Sequence, residues 1–236
     1  MSENYFKFKQ FIIFQDNCAM KVGTDSVLLG AFVNLDNIKT ILDIGTGTGL
    51  IALMLAQKSN AKITAIEIDK PAFEQALQNV SNSVFSEQIT LINLPVQDFA
   101  KNGTQKYDLI ISNPPYYQHH LKSGNKQKDI ARHNETLDYK ELVMSSKLML
   151  NKNGRFCVII PKDDESYFID ICKDNKLLLS QILNIRPTPT KNIKRVILEF
   201  SFNETKIESS ELIIEINGRH NYSQRYKQLT KDFYQF

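Results

Sequence analysis

"ILDIGTGTGLIALMLAQ", residues Ile41–Gln57, joins a short apolar run to three alternating glycines and then to a second apolar run with helical spacing. A buried strand that turns sharply into a helix reads this way. Gly45, Gly47 and Gly49 tolerate backbone angles that side chains forbid, and they let the chain approach a ligand at the helix amino terminus. The occupant expected is nucleotide-like. A dinucleotide loop of the form GxGxxG needs its third glycine where Leu50 stands, so the GxGxG spacing disfavours a bound pyrophosphate.

Working outward, apolar segments recur at Thr40–Ile44, Ile63–Ile66, Ile89–Ile92, Tyr107–Ser112 and Phe156–Ile160. Helical patterns fall between them, clearest at Leu50–Lys58, Ala72–Phe85 and Tyr139–Leu150. Strands that are apolar throughout and alternate with amphipathic helices predict a parallel sheet covered on both faces, and right-handed crossovers make it doubly wound. After Pro161 the rhythm changes. Leu177–Ile185 and Arg195–Phe202, joined by "RPTPTKNIK", predict an antiparallel pair at the sheet edge, with "ELIIEI" (Glu211–Ile216) a candidate further strand. The fold class expected is α/β, Rossmann-like and doubly wound, with a seven-stranded, mostly parallel sheet and an antiparallel C-terminal hairpin. By analogy this is the layout of class I methyltransferases. The chain reads as a single domain, with an N-terminal segment over 1–36, a core over 37–202 and a C-terminal extension over 203–236.

With 42% hydrophobic and 23% charged residues, the chain of 236 residues has the composition of a globular protein with a buried core. The apolar run at Phe11–Phe14 is too short for a signal-peptide core or a membrane span, so a cytoplasmic protein is expected. Cys18, Cys157 and Cys172 form no CxxC pair and stand at no metal-ligand spacing from a histidine, which predicts reduced thiols and no metal. The net charge of +3 conceals an uneven distribution. Tyr117–His133, Arg186–Arg195 and Arg219–Phe236 together carry +10, leaving −7 for the remainder.

Glu67 ends the second strand segment, 22 residues after Gly45, where a carboxylate can accept from both hydroxyls of a ribose; Ile68 follows it. Asp98, in "VQDF" after the third segment, falls at the next loop along the same edge and suits an adenine amino group. With Asp43 helping to set the glycine loop, these residues describe S-adenosylmethionine. Each also fits a plainer role, since Glu67, Asp69 and Asp98 are ordinary helix-capping types. Their order at successive strand ends favours the cofactor.

The fourth strand segment ends in "SNPPYY", Ser112–Tyr117. An amine conjugated to a purine is a poor nucleophile because its lone pair is delocalised into the ring. The Asn113 side-chain oxygen and the Pro114 carbonyl can each accept one amine hydrogen and so localise that pair, while Pro115 stiffens the chain. Tyr116 offers a flat face for the base. Tyr117 can stack on RNA or pack beneath the loop. The plainer alternative is a rigid Pro-Pro turn with a packed tyrosine.

The combination of "FKQF" (Phe8–Phe11), "CAMKVGTDSVLLGA" (Cys18–Ala31), the glycine loop, "DLIISNPPYYQ" (Asp108–Gln118), "ARHNETLD" (Ala131–Asp138) and "NYSQRYKQLTKDFYQF" (Asn221–Phe236) resembles the bacterial valine-tRNA adenine-N6 methyltransferases over nearly the whole chain. The resemblance implies methylation of the adenosine beside the anticodon of a valine tRNA. It also implies that the N-terminal segment closes over the methionine end of the cofactor, with Lys21, Thr24 and Asp25 lining that side; the alternative is a helix start capped by Thr24 or Asp25. The Asn-Pro-Pro-Tyr loop alone also resembles those of DNA adenine and release-factor glutamine methyltransferases. A protein glutamine N5-methyltransferase and a non-catalytic RNA-binding relative therefore stay open beside the tRNA enzyme.

The expected macromolecular partner is tRNA. Lys122, Lys126, Lys128 and Arg132 surround the catalytic loop in sequence; Arg186, Lys191, Lys194 and Arg195 form a second basic cluster, and Arg225, Lys227 and Lys231 with Tyr222 and Tyr226 a third. Such runs also occur as solvated faces.

Overall fold

A computed structural model describes residues 4–16, 21–116 and 137–234. The chain opens with a small antiparallel pair, β1 (Tyr5–Lys7) and β2 (Ile12–Phe14), then α1 (Thr24–Phe32). Strand β3 (Thr40–Ile44) leads through the glycine loop to α2 (Leu50–Lys58), followed by β4 (Lys62–Ile66), α3 (Lys70–Ser81), β5 (Ile89–Ile92), α4 (Val96–Asn102) and β6 (Tyr107–Ser112). After the segment outside the described residues come α5 (Tyr139–Met149), β7 (Leu150–Pro161), α6 (Glu165–Asp174), β8 (Leu178–Arg186), β9 (Arg195–Ser201), β10 (Glu208–Ile213) and α7 (Gln224–Thr230).

Strand alternation explains why the central residues of β3, β6 and β7 are apolar towards both faces of the sheet. Ile41, Leu109 and Cys157 face a core built with α1 and α2, whereas Leu42, Ile110 and Phe156 face a second core built with α5 and α6. Leu50–Ala56 of α2 are all buried, because that helix lies between the sheet and α1. Lys58 ends α2 by donating to the carbonyls of Gly30 (3.2 Å), Ala31 (2.9 Å) and Val33 (2.6 Å), so it closes the carboxyl end of α1. Cys157 and Cys172 are free, buried thiols, and burial pushes both pKa values up.

The main sheet has the order β10-β8-β9-β7-β6-β3-β4-β5, eight strands among the described residues rather than the seven expected. Strand β9 runs antiparallel between β7 and β8, so the reversed pair is not at the edge. The edge is β10, parallel to β8 and starting at Glu208, three residues ahead of the candidate "ELIIEI". The polar run Glu208–Ser210 hid its start, and the C-terminal extension therefore adds a strand to the sheet.

The extension also closes back on the amino terminus. Tyr222, Tyr226 and Tyr234 continue into Phe8 and Phe11 as a column of rings, with centroid separations of 4.8, 6.5, 5.7 and 4.9 Å. The Lys9 amide donates to Phe233 O at 2.9 Å, joining the turn of the N-terminal hairpin to the tail.

Candidate functional site

Parallel pairing places the last residues of four strands level. Ile44 pairs with Ile66 on one side and with Ser112 on the other, and Ile66 pairs with Ile92. Neighbouring strands lie about 4.8 Å apart, so the loops beginning at Gly45, Glu67, Asn93 and Asn113 share one short edge. In open α/β sheets that edge is where ligands bind.

The glycine loop turns as its sequence demands, with φ of 72° at Gly45, 57° at Gly47 and 81° at Gly49, the residue that opens α2. A methyl group built on Gly45 or Gly47 would meet nothing within 4 Å, so that side of the loop is open. Glu67 is 8% exposed and accepts from the Gly47 amide at 2.8 Å and the Asp69 amide at 2.9 Å. Each of its oxygens keeps capacity for a further donor. Ile68 beside it is 59% exposed, a large apolar side chain free to cover a flat ring. Of the candidate caps, only Asp69 caps a helix, accepting from Ala72 N at 3.1 Å. Asp98 is exposed in the first turn of α4, with Lys101 Nζ at 3.9 Å.

Asp43 is fully buried beneath the loop. Its Oδ2 accepts from Thr46 Oγ1 at 2.6 Å, whereas its Oδ1 has no hydrogen-bond partner among the described residues. Burial pushes its pKa up to about 7, with Thr46 opposing that shift and Glu67 adding to it. An orphaned buried carboxylate oxygen, an open glycine lip and a braced glutamate form a donor-seeking set, suited to a ligand with hydroxyls and positive charge.

At the neighbouring strand end, Ser112 Oγ donates to Ile44 O at 2.9 Å and fixes β6 to β3. Asn113 Nδ2 donates to Ser26 Oγ at 2.9 Å, which aims its amide. Pro114 is buried and Pro115 exposed. Tyr116 Oη lies 2.5 Å from Asp25 Oδ2 and 3.0 Å from Asn113 Oδ1. Arg195 Nε also donates to Asp25 Oδ2, at 2.8 Å, and its guanidinium carbon stands 4.5 Å from the centre of the Tyr116 ring, a cation–π contact. One ring face is therefore covered. Burial, followed by the Asp25 carboxylate, raises the phenol's pKa, so the hydroxyl keeps its hydrogen.

The structure thus brings Asp43, the glycines, Glu67, Ile68, Asn113, Pro114 and Tyr116 to one edge. Gly23, and neither Thr24 nor Asp25, is the N-cap of α1, and it makes no side-chain cap bond. Lys21 and Thr24 lie exposed ahead of and at the start of that helix. Arg195 joins the site through Asp25, whereas Arg186 is held by Glu211 (3.1 and 3.0 Å) and the Lys191 carbonyl (2.6 Å). Lys191 and Lys194 are exposed. Tyr117, Lys122, Lys126, Lys128 and Arg132 lie outside the described residues.

Sequence reasoning missed Ser26, Asn79 and Asn93. Buried Asn79 of α3 donates to Phe14 O and Thr48 O, both at 2.9 Å, and accepts from Phe14 N, so it binds the N-terminal hairpin to the glycine loop. Asn93 donates to the carbonyls of Glu67 (2.7 Å) and Ile68 (3.1 Å). A lone Ser or Asn in a helix or loop carries no sequence signal of such a bond; only Ser26 stood inside a quoted motif. Among the described residues, no group of three or more His, Cys, Asp or Glu side chains could hold a metal ion, and no helix is long and apolar enough to cross a membrane.

The methyltransferase small domain family matches residues 18–168. The tRNA1(Val) (adenine(37)-N6)-methyltransferase of Bacteroides fragilis is 43% identical over 99% of both chains, and that of Phocaeicola vulgatus 45% over 99% of both. The homologous enzyme of Flavobacterium johnsoniae is 44% identical over 97% of this chain and 98% of its own. Among solved structures, a predicted O-methyltransferase from Agrobacterium tumefaciens superimposes with a TM-score of 0.68 at 19% identity, covering 89% of this chain and 96% of that one, a likeness of fold. Matched along nearly its whole length at such identity, the chain belongs to the tRNA1(Val) (adenine(37)-N6)-methyltransferase family, within the methyltransferase small-domain proteins.

Proposed function

We propose that this chain transfers a methyl group from S-adenosylmethionine to the exocyclic N6 of an adenosine in tRNA, position 37 of a valine tRNA by its relatives' names. One observation carries the reading: the glycine-loop and Glu67 pocket and the Asn113–Tyr116 loop sit at adjacent, level strand ends, set by the Ile44–Ser112 and Ile44–Ile66 pairings. A cofactor held at the first would lie beside the second.

S-adenosylmethionine supplies a methyl bound to a positively charged sulfur. Glu67 accepts from its ribose hydroxyls, Ile68 covers the adenine, and Asp98 accepts from the adenine amine. Asp43 Oδ1 offers negative charge beneath the loop, and Lys21 and Thr24 flank the methionine end. Asn113 Oδ1 and the Pro114 carbonyl each accept one hydrogen of the target amine and turn its lone pair out of conjugation, toward the cofactor. Tyr116 holds the base through its ring. No strong base is needed, because the nitrogen becomes acidic once methylated and its proton passes to water. Lys194, the cations at positions 122, 126, 128 and 132, and Arg186 and Arg195 are the candidates for phosphate contact, and a tRNA substrate fits a cytoplasmic enzyme.

Purified protein, labelled S-adenosylmethionine and bulk tRNA from cells lacking this protein test the reading. Label in N6-methyladenosine after digestion to nucleosides is the expected result. Absence of transfer, with a control methyltransferase active on the same tRNA, overturns it; label found instead in glutamine of a protein substrate points to the other amine the loop suits.

A further inference from the structure

We infer that Asp25 is a positioning residue that keeps the Asn113 amide oxygen available to the target amine, an assignment that rests on the proposed N6 transfer. Tyr116 carries a single hydroxyl hydrogen, yet its oxygen lies within bonding distance of two acceptors, Asp25 Oδ2 at 2.5 Å and Asn113 Oδ1 at 3.0 Å. A hydroxyl donates once, and a carboxylate outcompetes an amide oxygen, more so at the shorter distance. The hydrogen therefore points to Asp25.

The other groups around the pair agree with that direction. Arg195 Nε donates to the same Asp25 oxygen at 2.8 Å, and the contact of its guanidinium with the Tyr116 ring keeps cation, carboxylate and phenol together. Asn113 Nδ2 donates to Ser26 Oγ at 2.9 Å, one position along α1 from Asp25, so the amide oxygen points away from that helix residue and toward the loop. The Asn113 oxygen thus has a neighbour but no donor, and an incoming amine can fill it. Without Asp25 the phenol's nearest remaining acceptor is Asn113 Oδ1 itself. Its hydrogen would then occupy the lone pair that the amine requires, and the loop would retain its shape while losing one of its two acceptors.

This competition makes a rescue the deciding measurement. Asp25→Ala should lower kcat for tRNA methylation about tenfold, the scale of one competing hydrogen bond, with the Kd for S-adenosylhomocysteine changed less than about threefold. Tyr116→Phe keeps the ring and removes the competing hydroxyl, and its rate is the reference. Asp25→Ala/Tyr116→Phe should return to within about threefold of that reference. If Asp25 merely anchors the loop, the double variant will be as slow as Asp25→Ala or slower, and that result overturns the assignment, as does Asp25→Ala transferring at the wild-type rate. Should Asp25→Ala not fold, Asp25→Asn carries the same comparison: its neutral oxygen holds the phenol less firmly, so a smaller loss, again recovered by Tyr116→Phe, is expected, and no recovery overturns the role. A wild-type chain that methylates no tRNA overturns the proposed function; active wild type without rescue overturns only the role of Asp25.

Discussion

The Gly47 amide donates to Glu67 Oε2 across 2.8 Å, so the carboxylate that follows β4 also holds the turn that follows β3. Its second oxygen holds the Asp69 amide, which starts α3. Glu67→Ala strands two backbone donors and removes the proposed ribose acceptor. The Kd for S-adenosylhomocysteine should rise at least tenfold, by calorimetric titration, and thermal stability should fall, each orphaned donor costing about 1–3 kcal/mol. Glu67→Gln keeps only one accepting oxygen and should lie between.

Asp43 gives the site a pH dependence. Its pKa in the fold, raised by burial to about 7, lies above the ordinary value of 3.8. The folded chain therefore holds this proton more tightly than the unfolded chain does. The stabilisation is complete below pH 4 and is lost as pH rises through about 7. Asp43→Asn cannot titrate, so its melting temperature should change less than that of the wild type between pH 4 and 8. A cationic cofactor favours the ionised carboxylate, so binding near pH 7 should release protons, seen as a heat that varies with the buffer's ionisation enthalpy. A proton count independent of Asp43→Asn would refute the assignment.

Asn113→Ala removes the proposed amine acceptor and the bond to Ser26, but nothing that holds the glycine loop. Methyl transfer to tRNA should fall at least a hundredfold while the Kd for S-adenosylhomocysteine shifts by only a few-fold, since the lost interaction acts in the transition state. Single-turnover kinetics with saturating cofactor make the comparison. Comparable losses in affinity and rate would show that Asn113 belongs to the cofactor pocket instead.

Legibility in the sequence follows the range of the forces involved. Strands β3, β5 and β6 are readable to the residue because each is built on a short apolar stretch, buried on both faces in β3 and β6, and the glycine loop because its angles favour glycine. The level strand ends followed from those two. Strand β10 and helices α4, α6 and α7 carry no such signature: β10 opens with four polar residues, Glu208–Glu211, and α4 and α7 have seven residues each. Asp25, Ser26 and Arg195 were legible as residue types, but the bonds of Asp25 to Tyr116 and to Arg195, and of Ser26 to Asn113, join side chains 91, 170 and 87 residues apart in sequence. No local pattern encodes that distance.

The C-terminal tail separates packing from recognition within one basic, tyrosine-rich segment. Tyr226 is 2% exposed and stacks on Tyr222 at 4.8 Å, while Phe8, 1% exposed, stacks on Tyr234 and Phe11. Neither Tyr226 nor Phe8 is placed to meet a base from solvent. Phe8→Ala and Tyr226→Ala should each destabilise the chain, the former by about 3–5 kcal/mol in urea unfolding, as expected for an emptied aromatic site. Their tRNA affinity, measured well below the unfolding transition, should stay near that of the wild type. Exposed Lys227, on the same helix as Tyr226, gives the opposite signature if the tail touches a phosphate. Lys227→Ala should leave stability unchanged, weaken tRNA binding uniformly across tRNA species, and reduce the slope of log affinity against log salt by about 1. An unchanged salt slope would show that the positive charge of the tail is a solvated face and that its aromatic side chains serve the fold alone.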